Sequence, residues 1–355
     1  MANLALTVER KAFSVAIDAA LKSLNKDREK GLLQIVDLTE KFMGDNFRKE
    51  AYDGVRKMIQ NPDHKWMRYV NRLLDETDPH VAKMTALNLG FQAAFYGTKT
   101  IRKMREVHDC NIPWLILMDP TSACNLHCTG CWAAEYGNKL NLSFDELDSI
   151  VTQGKELGIY TYFITVPKDP AKVLPLIRSN PDCAVILLCD TSDITEDFAE
   201  TAETLNNLLF AVTYGDQAET ACLILRDHQL LYSLYNVYSD ESSSDILCGT
   251  YFRFAEEMHS LFAAVLAEPD CTEETCRSVY QTVENSRISQ FYRTVPLDFF
   301  YDTEKIGNII SSPASIVGFD ADGTLYAPGR VPLKTSCNFF PVSYTHLTLP
   351  TILRV

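Results

Sequence analysis

The chain has 355 residues, enough to bury a substantial core and to hold more than one domain. Its 47 acidic and 33 basic residues leave a net charge of −14, which argues against nucleic acid or an anionic membrane surface as a partner, because both select basic patches. No apolar run approaches the ~18 residues of a membrane span. Met1–Arg10 has no basic start and is interrupted by Glu9, so a signal peptide is not expected and a soluble, cytoplasmic protein is.

Residues 1–110 read as an all-α N-terminal region. Ala5–Leu24 carries Leu6, Phe13, Ile17, Ala20 and Leu24 at helical spacing. Leu32–Met43 follows with Gly44 as its stop, then Asn46–Ile59 and Lys65–Leu74 on either side of Asn61-Pro62-Asp63. Asp78 can cap, and Pro79 can start, a single long helix running towards Met104. Its basic end, Lys99 to Arg105, suits a helix C-terminus better than a ligand patch.

From Ile112 the pattern changes to alternating strands and helices. Pro113–Met118, Ile159–Thr165, Cys183–Cys189 and Leu208–Thr213 read as strands. Between them lie helices at Glu146–Leu157, opened by the Ser143/Glu146 capping box and closed by Gly158, at Asp169–Arg178 and at Thr195–Asn206. Strands each followed by a helix predict a parallel sheet with right-handed crossovers. Past Tyr214 the spacing predicts helix for Ala218–Tyr238, leading into a mixed segment, and for Thr250–Ala267 and Thr272–Asn285. Ala314–Phe319 and Thr324–Tyr326 flank Asp320-Ala-Asp-Gly323 as a β-hairpin, a turn rather than a calcium loop because the other ligand positions are missing.

Chemistry concentrates just past the first strand, in Met118-Asp-Pro-Thr-Ser-Ala-Cys124-Asn-Leu-His-Cys128-Thr-Gly-Cys131-Trp132. Thiolates are soft ligands that suit zinc or an iron–sulfur cluster. Three of them would bind three corners of a cluster and leave one iron open for chemistry. A zinc site completed by a residue such as His127, or a buried stripe of small thiols, are the other readings of the same spacing. The remaining eight cysteines are scattered; in a long chain with an odd count of 11 they read as reduced, largely buried thiols rather than disulfides.

The Cx3Cx2C spacing resembles the cluster motif of the radical S-adenosylmethionine (radical SAM) proteins, and the stretch from Trp114 to Cys124 is similar to a group of them from anaerobic bacteria. The resemblance implies a partial (βα)6 TIM-like barrel over 111–340, diverging after about 215. It implies a 4Fe-4S cluster on Cys124, Cys128 and Cys131, with S-adenosyl-L-methionine (SAM) on the open iron. SAM would be cleaved reductively to a 5′-deoxyadenosyl radical, the electron coming from a flavodoxin or ferredoxin, for hydrogen abstraction from a substrate the residues do not specify. An alternative is a cluster-binding paralogue that transfers electrons without SAM turnover.

Relatives often carry an aromatic residue before the third cysteine, near the adenine. Here Gly130 holds that position and the aromatic is Trp132, which either contacts the cofactor or packs over the loop. Where the family carries Gly-Gly-Glu-Pro, this chain reads Val166-Pro167-Lys168-Asp169-Pro170. Asp169 either keeps the carboxylate that faces the SAM amino group or caps the following helix. Finally, Val342–Thr351 resembles a translated sequencing-adapter end, so 341–355 is expected to be a non-native tail.

Overall fold

The computed structural model describes residues 2–24, 26–43, 49–118, 120, 142–165, 170–268, 271–289 and 293–302, and short strands at 318–319, 325–327 and 331–334. The N-terminal region is helical, as expected: α1 (Ala2–Leu24), α2 (Arg28–Met43), α3 (Lys49–Ile59), α4 (Lys65–Glu76) and α5 (Pro79–Thr85). Asp78 caps α5 by accepting from the His80 and Val81 amides at 2.8 and 3.1 Å, with Pro79 in the first turn.

The single long helix expected after Asp78 is instead divided. α5 gives way to a π-helical stretch, Ala86–Gly97, before α6 (Thr98–His108). The wider turn brings Asn88 and Gln92 inward beside Leu87 and Phe91, all four buried. Those amides meet Arg10, whose guanidinium donates to Gln92 Oε1 at 2.9 Å and Asn88 Oδ1 at 2.8 Å. Asn88 in turn donates to the carbonyls of Pro181 and Cys183, both at 3.0 Å, tying the helices to the sheet. The contact is completed by two glycines back to back, since a Cβ on Gly97 would come within 2.5 Å of the Gly158 carbonyl.

Seven parallel strands follow in sequential order, β1 (Leu115–Met118), β2 (Thr161–Thr165), β3 (Ala184–Cys189), β4 (Leu208–Thr213), β5 (Tyr232–Tyr238), β6 (Phe262–Ala267) and β7 (Val295–Asp298). The crossovers contain α7 (Phe144–Leu157), α8 (Leu174–Ser179), α9 (Glu196–Ala202), α10 (Ala218–Asp227), α11 (Ser244–Leu247), α12 (Thr250–Glu257) and α13 (Glu273–Ser289). This is an α/β half-barrel behind an N-terminal helical region. The capping box of α7 is present, with Ser143 N donating to Glu146 Oε2 at 2.8 Å, and Gly158 closes that helix at φ 96°.

The last three strands correct the sequence reading. Tyr232–Tyr238 and Phe262–Ala267 are strands, not continuations of the helices before them, and Val295–Asp298 adds a seventh. Short apolar runs fit either period, and here pairing with β4 and with each other decides. The expected helix from Asp169 begins as a 3₁₀ turn at Pro170–Val173, and the one from Thr195 stops at Ala202. The expected hairpin forms between β8 (Gly318–Phe319) and β9 (Leu325–Ala327), extended by β10 (Val331–Lys334); its turn and the expected tail lie outside the described residues.

Register divides the strand residues into two faces. Tyr162, Leu187, Phe210, Leu234 and Ala263 share the row that packs on the crossover helices, each 0% exposed. Phe163, Ile186, Leu188, Tyr235 and Val237 occupy the alternate, concave face, and none of them is fully buried.

Candidate functional site

All seven strands point the same way, so their C-terminal ends gather on one rim, the end that carries chemistry in parallel barrels. β1 reaches that rim at Met118. Directly beyond it the Leu142 amide donates to the Pro120 carbonyl at 2.8 Å. This bond joins the residues that flank segment 121–141, in which the sequence carries the cysteine motif. Cys124, Cys128, Gly130, Cys131 and Trp132 themselves, like Asp169, lie outside the described residues. Thr165, the last residue of β2, donates to the Met118 carbonyl at 3.4 Å on the same rim.

The rim over β3 and β4 is cross-tied. Asp190 accepts from the Ser192 amide at 3.0 Å and its hydroxyl at 2.8 Å, while Asp193 accepts from the Asp190 amide at 3.1 Å. The Ser192 amide, foremost, holds the Asp190 carboxyl below the usual range, so it stays ionised near neutral pH. Thr191 N donates to Thr213 Oγ1 at 3.2 Å and Thr191 Oγ1 to the Asp216 carbonyl at 3.0 Å, locking the two rim loops together. A fixed carboxylate and two threonines suit a ligand that presents an ammonium group or hydroxyls.

Below the rim, the concave face is apolar. From register, the strand positions that face it are Leu, Ile, Val, Phe, Ala, Thr, Ser and Tyr, with no charged residue among those described. Leu117 and Val237 are each 42% exposed there. Phe163 of β2 meets Phe299, just past β7, edge-on at 5.3 Å, so the two ends of the curled sheet approach across the trough. Tyr235 pairs with Thr213; its phenol is pushed up by burial, and its hydroxyl meets no partner among the described residues. An apolar trough under a polar rim can shelter a ligand's body while holding its polar head.

The donor set fits an iron–sulfur cluster in chemistry: three thiols, Cys124, Cys128 and Cys131, at close spacing in the sequence. No other group of three or more His, Cys, Asp or Glu able to hold a metal occurs among the described residues. The remaining thiols are less uniformly buried than the sequence suggested. Cys183, Cys189 and Cys222 are buried, Cys271 and Cys276 are intermediate, and Cys110 and Cys248 are exposed; Cys337 lies outside the described residues. Cys110 follows the left-handed end of α6 at Asp109, and Cys248 precedes Gly249 at φ 77°, so both sit at helix ends that face solvent.

One titratable group escaped the sequence reading. Asp298, at the end of β7 and 2% exposed, accepts from the Phe300 and Tyr301 amides at 3.1 and 3.0 Å. Burial, above all, raises its carboxyl to about 7. Its only linear signal is an Asp after an apolar run, which most surface turns share.

No protein-family model matches the chain, and no curated protein does. Among solved structures it is similar to SuiB of Streptococcus suis bound to S-adenosylmethionine, at 12% identity and a TM-score of 0.45, over 56% of this chain and 54% of that one. It is similar to histidine-tagged anSMEcpe with bound AdoMet, at 15% identity and a TM-score of 0.41, over 64% and 72%. A third likeness, to a radical S-adenosylmethionine methyltransferase, TsrM of Kitasatospora setae with cobalamin and a 4Fe-4S cluster bound, has 14% identity and a TM-score of 0.31, over 42% and 36%. The chain thus spans about half the length of the SuiB chain it matches. The spacing of Cys124, Cys128 and Cys131 is what the chain has in common with the cluster motif of the radical SAM proteins.

Proposed function

We propose that this is a radical SAM-type iron–sulfur protein acting as an oxidoreductase in a reducing cytoplasm. The observation that supports the reading is that Pro120 and Leu142, which flank the segment carrying the Cx3Cx2C motif, are bonded just past the C-terminal end of the first strand of a parallel half-barrel. Cys124, Cys128 and Cys131 would hold the cluster. With SAM bound, such a cluster supplies a one-electron cleavage to a 5′-deoxyadenosyl radical, with a flavodoxin or ferredoxin as the electron donor.

The chain's own residues have three tasks. Gly130, Trp132 and Asp169 contact SAM, the last through its amino group. The Asp190–Thr191–Thr213 rim offers acceptors for the ligand's hydroxyl or ammonium donors. The apolar trough keeps water from the reacting carbon and positions the substrate.

The test is anaerobic reconstitution with iron and sulfide, followed by EPR of the reduced protein with and without SAM. A cluster signal that changes on adding SAM is expected, and Cys128→Ala should lose it. A signal indifferent to SAM would leave a cluster-bearing electron-transfer protein. Zinc in place of a cluster would overturn the reading.

A further inference from the structure

We propose that Cys271 and Cys276 form a site of reversible disulfide modification, clipping the loop that leaves β6 to the first turn of α13. The geometry follows from how α13 starts. Thr272 is its cap: the Thr275 amide donates to Thr272 Oγ1 at 3.4 Å, and the Cys276 amide donates to the Thr272 carbonyl at 3.0 Å. Cys271 is therefore the residue before the cap and Cys276 the fourth helical residue. Side chains at those two positions meet across a helix start, where they form a hydrophobic staple when apolar. Here both are thiols, and they are near enough for each to shift the other's ionisation.

The surroundings hold this pair in place. The Cys271 amide donates to the Glu268 carbonyl at 3.1 Å, and the Glu268 amide to the Tyr238 carbonyl at 2.8 Å, so the loop is tied to the end of β5. One oxygen, Asp240 Oδ1, accepts from the Cys271 thiol at 3.6 Å, the Thr272 amide at 3.1 Å and the Thr272 hydroxyl at 2.7 Å. The Tyr238 hydroxyl contacts Cys276. Both thiols are only partly buried, so a small oxidant can reach them. A metal is the other use of paired thiols, but these two and their acidic neighbours do not form a group able to hold one among the described residues.

Burial, first, holds both thiols above their ordinary range; the Cys276 thiol and then Asp240 add to it for Cys271, and the carboxylates of Asp298 and Asp240 add to it for Cys276. The reactive thiolate is thus scarce at neutral pH, and bond formation should accelerate as pH rises. The oxidant is a low-molecular-weight disulfide, RSSR. One cysteine thiolate attacks it and expels one RS⁻, leaving a mixed disulfide; the second cysteine thiolate attacks the protein sulfur of that adduct and expels the other. Two electrons and two protons pass from the cysteine pair to RSSR, yielding two RSH.

The full chain, incubated with oxidised glutathione, alkylated after denaturation and digested with trypsin, reads this directly. Peptide Phe254–Arg277 contains both cysteines and no others. It should lose two hydrogens, take no alkyl label, and recover both labels after treatment with dithiothreitol. Cys271→Ser should leave a single glutathione on Cys276. Asp240→Asn should close the bond faster at neutral pH, by removing a charge that acts on both thiols, the Asp298 carboxylate remaining beside Cys276. Two separate glutathione adducts on the wild-type peptide, or two alkylated thiols, would overturn the proposal; an unchanged rate in Asp240→Asn would overturn the part given to that carboxylate.

Discussion

The two faces of the parallel sheet come from the same seven strands yet behave differently. The helix-facing row is sealed: Tyr162, Leu187, Phe210 and Leu234 are 0% exposed. The concave row alternates with it residue by residue, carries no charged residue among those described, and stays partly open, with Leu117 and Val237 at 42%. Apolar composition alone therefore does not say what a strand face is for. One face is sealed core, and the other keeps part of its apolar surface exposed.

Truncation should separate the faces most sharply. Phe210→Ala removes a sealed ring that packs edge-on against Phe198 at 5.6 Å, and should cost about 3–5 kcal/mol in denaturant unfolding. Leu188→Ala on the concave face should cost roughly 1 kcal/mol, because that side chain is already partly solvated. Equal losses would mean that the trough is closed core, and the comparison would fail.

A pH titration tests the sealed face at Asp298. Its folded value of about 7 lies above the ordinary carboxylate value, so the unfolded chain releases this proton first. Stability contributed by the protonated form is full at low pH, falls as pH rises from about 4 to about 7, and is then constant, by on the order of 4 kcal/mol in total. Asp298→Asn should flatten that part of the stability curve and be the more stable protein at pH 8. A variant curve parallel to the wild type would show that the carboxyl titrates normally.

The join between helical region and barrel is the next test. Gly158 has φ 96° and faces the Gly97 carbonyl, which a Cβ would approach to 2.6 Å. Gly158→Ala should cost about 1–2 kcal/mol from the left-handed backbone alone, with a further loss from the contact, read as a lower melting temperature. The smallest effect belongs to the open face. Tyr235→Phe should change stability by no more than about 0.5 kcal/mol, since its hydroxyl has no partner among the described residues to lose. A larger drop would indicate that the hydroxyl is satisfied within the fold rather than held for a ligand.

Legibility followed the range of the interactions involved. The Ser143/Glu146 box, the Asp78–Pro79 start and the Gly158 stop were readable because a cap is settled within four residues. The first four strands were readable because each lies between helical stretches. β5 and β6 were not: their apolar runs directly follow helices, and only pairing with β4 selects extended backbone. Asp298 was invisible for a related reason, since its raised pKa comes from burial by elements far along the chain.

By itself, the sequence determined the class of chemistry available and the local starts and stops of the fold. Three thiols spaced for a metal cluster, a change from helical to alternating pattern near Ile112, and the helix caps are short-range facts, complete within a few residues of chain. Tertiary structure alone decided which apolar residues became core and which became trough, and that the Asp298 carboxyl became buried. Those outcomes depend on the curl of the sheet and on the position of α13 against β5–β7, where residues distant in sequence share one dielectric and one set of hydrogen bonds.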